Sequence, residues 1–235
     1  MYTLMRLKAP MQSWGNDTAR FTDGGVRGTN PFPTYSGIIG LVASCMGINQ
    51  KRNPEAYAEL IERIDYVGSF AHKTFPIITD YQTMGGGYDT SDPIQKKMFP
   101  RTADGSIPVG KVNVQGISMS NLSIREYIED ADFFVVLRTE GDDYTERLVS
   151  RLKNPTWFPY YGRACCIPTT RLFVGQYETL NEAIDVVKGL HDVTRLIAYL
   201  SKKPDDKHSP IVQYDTPTTH AKFSYGKRTV YKTIV

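Results

Sequence analysis

The sequence lacks the features that mark three large classes of protein. No apolar run approaches the roughly 20 residues that a membrane-spanning helix needs. The first residues, Met1 to Arg6, lack the basic and then apolar layout of a secretory signal. Three cysteines, of which Cys165 and Cys166 are adjacent, make no disulfide framework. These absences predict a soluble, cytoplasmic protein with no contact to a membrane.

Signals of catalysis are also scarce. The histidines are scattered without the spacing of metal ligands, at His72, His191, His208 and His220. The sequence contains neither a Gly-x-Ser-x-Gly nucleophile motif nor a Gly-x-x-x-x-Gly-Lys-[Ser/Thr] phosphate loop. We therefore expect no metal site, no cofactor and no catalytic residue.

The chain does have enough apolar residues for a large core. Of its 235 residues 40% are hydrophobic, which suits one large domain or a domain with a smaller appendage. The net charge of +3 is too small to indicate nucleic acid by itself. Its distribution is uneven, because residues 201–235 carry seven basic and three acidic side chains, whereas residues 121–200 carry nine and twelve. This asymmetry fits a face for a polyanion, and it fits ordinary solvated charge equally well.

The order of the predicted elements indicates an α+β fold. Strand-like residues 2–8 are followed by a long loop at 9–33, a buried helix at 34–48 and a second helix at 54–63. Extended segments at 64–72 and 75–83, strands at 122–128 and 132–139, a helix at 142–153 and a strand at 171–177 follow. This order predicts a ferredoxin-like (RRM-like) domain over residues 1–178. The glycine-rich stretch between Gly85 and Ser118 has little core-forming pattern, so we expect an exposed insertion there and a small β-rich subdomain over 179–235.

The start of the first helix is a candidate phosphate site. Free N–H groups at a helix N-terminus bind phosphate, and Ser36 and Gly37 would let a nucleic-acid backbone approach closely. Arg20 and Arg27 in the preceding loop favour this interpretation. The alternative is a plain capped helix with no ligand.

Aromatic and basic residues in loops form a second set of candidates. Trp14, Tyr35 and Tyr81 could stack on unpaired bases, although packing at the rim of the core explains most such aromatics. Arg163, beside a glycine, could grip a phosphate or pair with a carboxylate. The insertion adds four cations, Lys96, Lys97, Arg101 and Lys111.

Four segments together resemble CasD, the family of 5′-handle-binding subunits of type I-E CRISPR Cascade within the RAMP superfamily. The segments are Leu7-Lys8-Ala9-Pro10-Met11-Gln12-Ser13-Trp14-Gly15; Phe32-Pro33-Thr34-Tyr35-Ser36-Gly37-Ile38-Ile39-Gly40-Leu41, ending Met46-Gly47-Ile48; Arg125-Glu126-Tyr127-Ile128-Glu129-Asp130-Ala131-Asp132-Phe133; and Pro159-Tyr160-Tyr161-Gly162-Arg163-Ala164-Cys165-Cys166. Weaker matches are Asp80-Tyr81-Gln82-Thr83 and Lys227-Arg228-Thr229-Val230. The strong matches are ordered from residue 7 to about residue 175.

The resemblance implies a non-catalytic subunit for antiviral defence, with an RRM-like domain and a projecting thumb formed by the insertion at about 79–123. Such a subunit binds the 5′ handle of the crRNA, caps the filament of CasC backbone subunits and abuts the large subunit CasA, in a complex that also contains CasB and CasE. Cutting of the precursor RNA belongs to CasE. The matched positions that carry RNA contacts are Gln12, Trp14, Ser36, Gly37, Tyr81 and Arg163. Two residues depart from the pattern, because Tyr35 stands where Lys or Arg is common and Cys165 where Ser is common.

Two other functions remain open at this stage. A sibling family in type I-C systems shares the fold and cleaves repeat RNA without metal. That function would require His72 with Lys73 and Tyr81 from neighbouring strands, although a single histidine at a strand end is more often structural. The other function is a protein-bridging subunit without RNA contact.

Overall fold

The computed structural model describes residues 1–15, 26–84, 121–205, 207–217 and 225–235. The chain forms two compact units. Unit 1 comprises residues 1–17, 29–78 and 127–235, and unit 2 comprises residues 18–28 and 79–126. Over the described residues the fold is mixed, with four helices and a mostly antiparallel sheet.

Unit 1 is built on seven strands, which are β1 (Tyr2–Gln12), β5 (Ile64–Ala71), β7 (Asn121–Thr139), β8 (Phe173–Tyr177), β9 (Ile197–Leu200), β10 (His208–Pro217) and β11 (Tyr225–Ile234). They are antiparallel and lie in the order β8-β1-β7-β5-β9-β11-β10. Strands β9, β10 and β11 therefore extend the same sheet beyond β5. The thumb at 79–123 and a subdomain boundary at residue 178 stay predictions.

Strand β1 is longer than the sequence indicated. The predicted strand ends at Lys8, whereas the observed strand continues to Gln12, which pairs with Ile128 of β7. The ladder skips Pro10, which has no N–H to donate. Pairing and burial nevertheless resume at Gln12, which shows that the strand continues beyond the proline. As a result, the first part of the predicted loop belongs to the sheet.

Three helices cover one face of the sheet, and their bounds are largely those predicted. They are α1 (Tyr35–Met46), α2 (Pro54–Arg63) and α3 (Asp142–Lys153). Six apolar residues of α1 are buried, and they join the same core cluster as Met5 and Leu7 of β1 and Val135 of β7. The predictions for α2 and α3 are confirmed to the residue.

Helix α4 (Leu180–His191) packs on the opposite face. Its Ala183, Ile184 and Val187 share a second core cluster with Leu4 of β1 and Val136 of β7. Since neighbouring residues of a strand point to opposite faces, Leu4 beside Met5 and Val136 beside Val135 separate the two clusters. The central strands are thus buried on both sides.

Unit 2 contains short pairings. Strand β3 (Val26–Arg27) runs parallel to β7, with Val26 opposite Ile124 and Arg27 opposite Arg125, and β6 (Ile77–Met84) also pairs with β7.

A two-stranded ribbon of unit 1 joins β2 (Trp14–Gly15) to β4 (Thr29–Asn30). Among the described residues, no helix has the length and apolar character to span a membrane.

Two glycines of α1 should respond oppositely to alanine. A Cβ at Gly37 would lie 2.7 Å from Cε3 of the buried Trp14 ring, whereas a Cβ at the exposed Gly40 meets nothing within 4 Å. We expect Gly37→Ala to lower the free energy of unfolding by about 1–2 kcal/mol, since overpacking outweighs the gain in helix propensity. Gly40→Ala should raise it by up to about 1 kcal/mol. Chemical unfolding of both variants measures this, and equal effects at the two positions would contradict the proposed contact.

Candidate nucleic-acid interface

The first turn of α1 is capped from two directions. Thr34 is the N-cap, and its hydroxyl accepts a hydrogen bond from the Gly37 N–H at 3.4 Å. The Tyr35 N–H donates to Oδ2 of Asp215 in β10 at 2.9 Å. A carboxylate at this position also offsets the positive end of the helix dipole. Two of the N–H groups predicted to be free for a phosphate are therefore already paired within the protein.

Asp215 belongs to an ion pair that the sequence interpretation did not find. Its carboxylate is buried and accepts hydrogen bonds from Nε and Nη2 of Arg228 at 2.9 and 2.8 Å. The Arg228 guanidinium also lies 5.0 Å from the centre of the Tyr35 ring. Burial raises the pKa of the Tyr35 phenol. The weak match at Lys227-Arg228-Thr229-Val230 is the sequence feature that could have indicated a role for Arg228. Nothing in the sequence indicated a role for Asp215.

The side chains of Gln12 and Trp14 lie in the interior. Gln12 is fully buried, and its amide donates to the carbonyls of Leu7 and Ala131 at 2.8 and 2.9 Å. Its Oε1 accepts a hydrogen bond from the Trp14 indole at 3.0 Å. Trp14 is 1% exposed. The RNA contacts of these two side chains stay a prediction. Their burial does not support it, because neither side chain exposes surface to a base.

Trp14 connects the first turn of α1 to the loop at 155–168. Its ring fills the space that Gly37 leaves open, and it stacks against the buried Tyr161 with ring centres 6.0 Å apart. The Ser13 N–H donates to the Tyr161 carbonyl at 3.0 Å. Gly162 has a φ of 88°, and a Cβ there would lie 1.6 Å from the Ser13 carbonyl oxygen. Both the left-handed backbone and the contact therefore require glycine.

Arg163 lies beside this junction and is partly exposed. Its guanidinium carbon is 4.6 Å from the centre of the Tyr127 ring. The Cys165 thiol is 3.7 Å from the Tyr127 hydroxyl, so three residues of two matched segments meet here. This arrangement supplies a third role for Arg163, stacking on an aromatic ring, besides the phosphate and carboxylate contacts predicted for it.

The other predicted residues fall into three groups. Ser36 is half-buried in the first turn of α1. Arg27 and Tyr81 belong to unit 2 and are exposed. The remaining predictions lie outside the described residues, namely Arg20, Lys96, Lys97, Arg101 and Lys111.

His72 takes part in a charged cluster on the α4 side of the sheet. Its ring stacks on His191 with centres 4.2 Å apart, and Nε2 of His191 is 3.6 Å from Oδ2 of Asp132. Asp132 also accepts two hydrogen bonds from Arg6, at 2.9 and 2.6 Å, and Lys8 lies 3.9 Å away. Within the described residues, Nδ1 of His72 is buried and makes no hydrogen bond. This nitrogen is therefore enclosed by the protein and does not face solvent.

The chain belongs to the CRISPR-associated protein (Cas_Cas5) family. The model of this family, Cas_Cas5d, matches residues 2–231. A curated relative, "CRISPR system Cascade subunit CasD" of Escherichia coli (strain K12), is 29% identical over 178 residues, which are 74% of this chain and 70% of the relative. The resemblance to CasD noted in the sequence is thereby confirmed.

Two solved structures share the fold. One, "CRISPR RNA-guided surveillance complex", aligns with a TM-score of 0.65 and 22% identity over 100% of this chain and 89% of that chain. The other, "Crystal structure of Cas protein", aligns with a TM-score of 0.64 and 21% identity over 100% of this chain and 94% of that chain.

The histidine cluster should make stability depend on pH. Burial lowers the pKa of both His72 and His191 below the ordinary value of 6.5, and the neighbouring charges of His191 and Lys73 lower that of His72 further. Below about pH 6.5 the unfolded chain therefore binds more protons at these histidines than the folded chain does. As a result, the free energy of unfolding should decrease as the pH is lowered. Urea unfolding at several values between about pH 8 and pH 5 measures this dependence.

A matched pair of variants identifies the source of this pH dependence. The double variant His72→Gln, His191→Gln should flatten the dependence. His208→Gln, in β10 and outside the cluster, should leave it unchanged. A double variant with the same slope as the parent protein would assign the effect to other groups.

Proposed function

We propose that the chain is the non-catalytic subunit of a type I-E CRISPR surveillance complex that binds the 5′ handle of the crRNA. The observation that carries the proposal is the family match across residues 2–231, together with the Cascade subunit among its relatives. The subunit would cap one end of the CasC filament and contact CasA, with CasB and CasE elsewhere in the complex. It would act in the cytoplasm of a prokaryote.

The proposed fold is a ferredoxin-like (RRM-like) domain with a thumb at about 79–123 and a C-terminal β-rich region from residue 179. Four strands support it, because β8, β1, β7 and β5 are adjacent in that order and antiparallel. In chain order these are the fourth, first, third and second strands of a split βαβ unit used twice. Helices α1 and α3 occupy the two crossover positions.

Recognition would combine charge with stacking on unpaired bases. Arg228 over Tyr35 and Arg163 over Tyr127 place two guanidinium groups beside aromatic rings on unit 1. Unit 2 adds Arg27 and Tyr81, both exposed. Cations that hold phosphates beside rings that stack on bases are typical of proteins that bind single-stranded RNA. Because Asp215 already pairs with the Tyr35 N–H, we assign phosphate contacts to arginine side chains and to Ser36.

The absence of catalysis is part of the proposal, supported by the surroundings of His72. Its ring lies between His191 and Phe75, with ring centres 4.2 and 5.6 Å away. A structural role explains this packing without a substrate. The function of the type I-C sibling family is therefore not favoured.

Arg27→Ala should weaken binding of the handle. The expected loss is about three- to tenfold, and the slope of log affinity against log salt should fall by about one, because one phosphate contact is removed. Fluorescence anisotropy with a labelled handle RNA and a scrambled RNA of equal length measures both. Arg52→Ala, which removes an exposed cation just before α2, is the matched control and should change neither quantity.

The same preparation distinguishes the competing functions. A wild-type protein that binds both RNAs equally would contradict handle recognition. Site-specific cleavage of repeat RNA in the presence of a chelator, lost on His72→Ala or Tyr81→Phe, would contradict the non-catalytic role. Failure of handle RNA to cross-link to residues 12–37 or to the thumb in the assembled complex would favour the protein-bridging function.

A further inference from the structure

A run of large apolar side chains is exposed on the loop at 155–168 of unit 1. Trp157 is 44% exposed, Phe158 69%, Tyr160 47% and Ile167 51%. Single exposed apolar residues are common on protein surfaces, whereas several on one loop indicate a surface that another molecule covers.

The loop lies against a groove with apolar walls and basic edges. The groove has a volume of about 570 Å³ between the end of α3 and the start of β8. Its walls include Phe158, Pro159 and Pro168, and Lys153 and Arg171 are among its lining residues. Of the described residues that line it, none carries a carboxylate. This volume lies within the range of about 300–1,000 Å³ typical of ligand pockets, so the groove can accept side chains of a second molecule.

Buried neighbours hold the exposed side chains in place. The Thr156 N–H donates to the carbonyl of Cys45 at 2.8 Å, which fixes the loop to the end of α1. Tyr161 and Cys166 are buried, and the Tyr161 N–H donates to the Cys166 carbonyl at 2.8 Å. Lys153 is also oriented, because its ammonium lies 4.6 Å from the centre of the Phe173 ring. A preorganised surface loses less conformational entropy on binding than a mobile one.

The groove is distinct from the first turn of α1. Thr156, next to the groove-lining Pro155, is attached at Cys45, near the C-terminal end of this 12-residue helix. Tyr161, which Trp14 joins to the N-terminal end of the helix, does not line the groove. With a rise of about 1.5 Å per residue, the two ends of α1 are roughly 16 Å apart. The surface therefore needs an occupant other than a base at the helix start.

We propose that this groove is the docking site for another protein subunit of the surveillance complex. The occupant is a segment that inserts an apolar side chain between Phe158 and Pro168 and places a carboxylate beside Lys153 and Arg171. Charge complementarity favours it, since the groove supplies two cations and no acid. We assign the groove to a protein segment because Phe158, Pro159 and Pro168 form an apolar wall for an inserted side chain, beside two cations that can bind its carboxylate. The proposal rests on the proposed function, in which the chain works within a multi-subunit complex.

Cross-linking in the assembled complex tests the occupant directly. A photoreactive phenylalanine replaces Phe158 in the complex reconstituted with its crRNA and protein subunits, and mass spectrometry maps the products. We expect a cross-link to a partner peptide that carries an apolar residue close to an Asp or Glu. The same probe at Leu190, which is 51% exposed on α4, is the control and should not yield that peptide. A cross-link from position 158 to RNA, or no cross-link, would overturn the proposal.

A charge reversal tests the energetics. Arg171→Glu should reduce incorporation of the subunit into the complex about tenfold or more, because it places a like charge opposite the partner carboxylate. Binding of labelled handle RNA by the isolated subunit should stay within about twofold, as expected for a surface change away from the RNA. Phe158→Ser, at a largely exposed position, should reduce incorporation without lowering the melting temperature.

The outcomes separate this proposal from the proposed function. Normal incorporation of Arg171→Glu and Phe158→Ser would overturn the docking site and leave handle binding intact. A wild-type subunit that neither binds the handle nor enters the complex would overturn the proposed function, and the docking site with it.

Discussion

The packing of Trp14 into the space beside Gly37 is the contact on which the candidate interface depends. It brings three distant parts of the chain together: the end of β1, the first turn of α1 and the loop at 155–168. The indole N–H is satisfied by Gln12, whose amide is bound to two backbone carbonyls, so the whole arrangement is buried without an unpaired donor. Because buried polar groups must find partners, Gln12 and Trp14 fix the geometry from within, and the ligand contacts that we propose belong to their neighbours.

In two neighbouring residue pairs, an arginine guanidinium lies over an aromatic ring. Arg228 lies over Tyr35 and Arg163 over Tyr127. An arginine restrained in this way has already lost part of its rotamer freedom, so a phosphate that binds it orders less of the side chain. The aromatic face also orients the planar group, which lets its hydrogen-bond donors point to one side.

Local patterns in the sequence predicted the helices well. Several features that depend on pairing between distant parts of the chain were not predicted. Helices α2 and α3 match their predicted bounds because a proline at the first turn and a clear apolar stripe define them within the segment itself. Strand β1 was predicted too short, because Pro10 resembles the start of a loop and only pairing with β7, over 100 residues away, shows that the strand continues. The roles of Gln12 and Asp215 were beyond reach for the same reason, since each is defined by partners far along the chain. The matched segments did indicate which parts of the chain meet, although not which atoms face outward.

The capping of α1 by Asp215 has a consequence for the order in which the protein matures during translation. Asp215 lies 180 residues after Tyr35, and its partner Arg228 lies 13 residues further on. A ribosome therefore completes α1, the central strands and the loop at 155–168 well before it supplies the groups that cap the helix. Until the final hairpin of β10 and β11 emerges, the first turn of α1 keeps a free N–H and the positive end of its dipole. The surface beside the helix thus acquires its mature charge only after Asp215 and Arg228 have been synthesised and have folded against it, and a nascent chain without them presents a different electrostatic face.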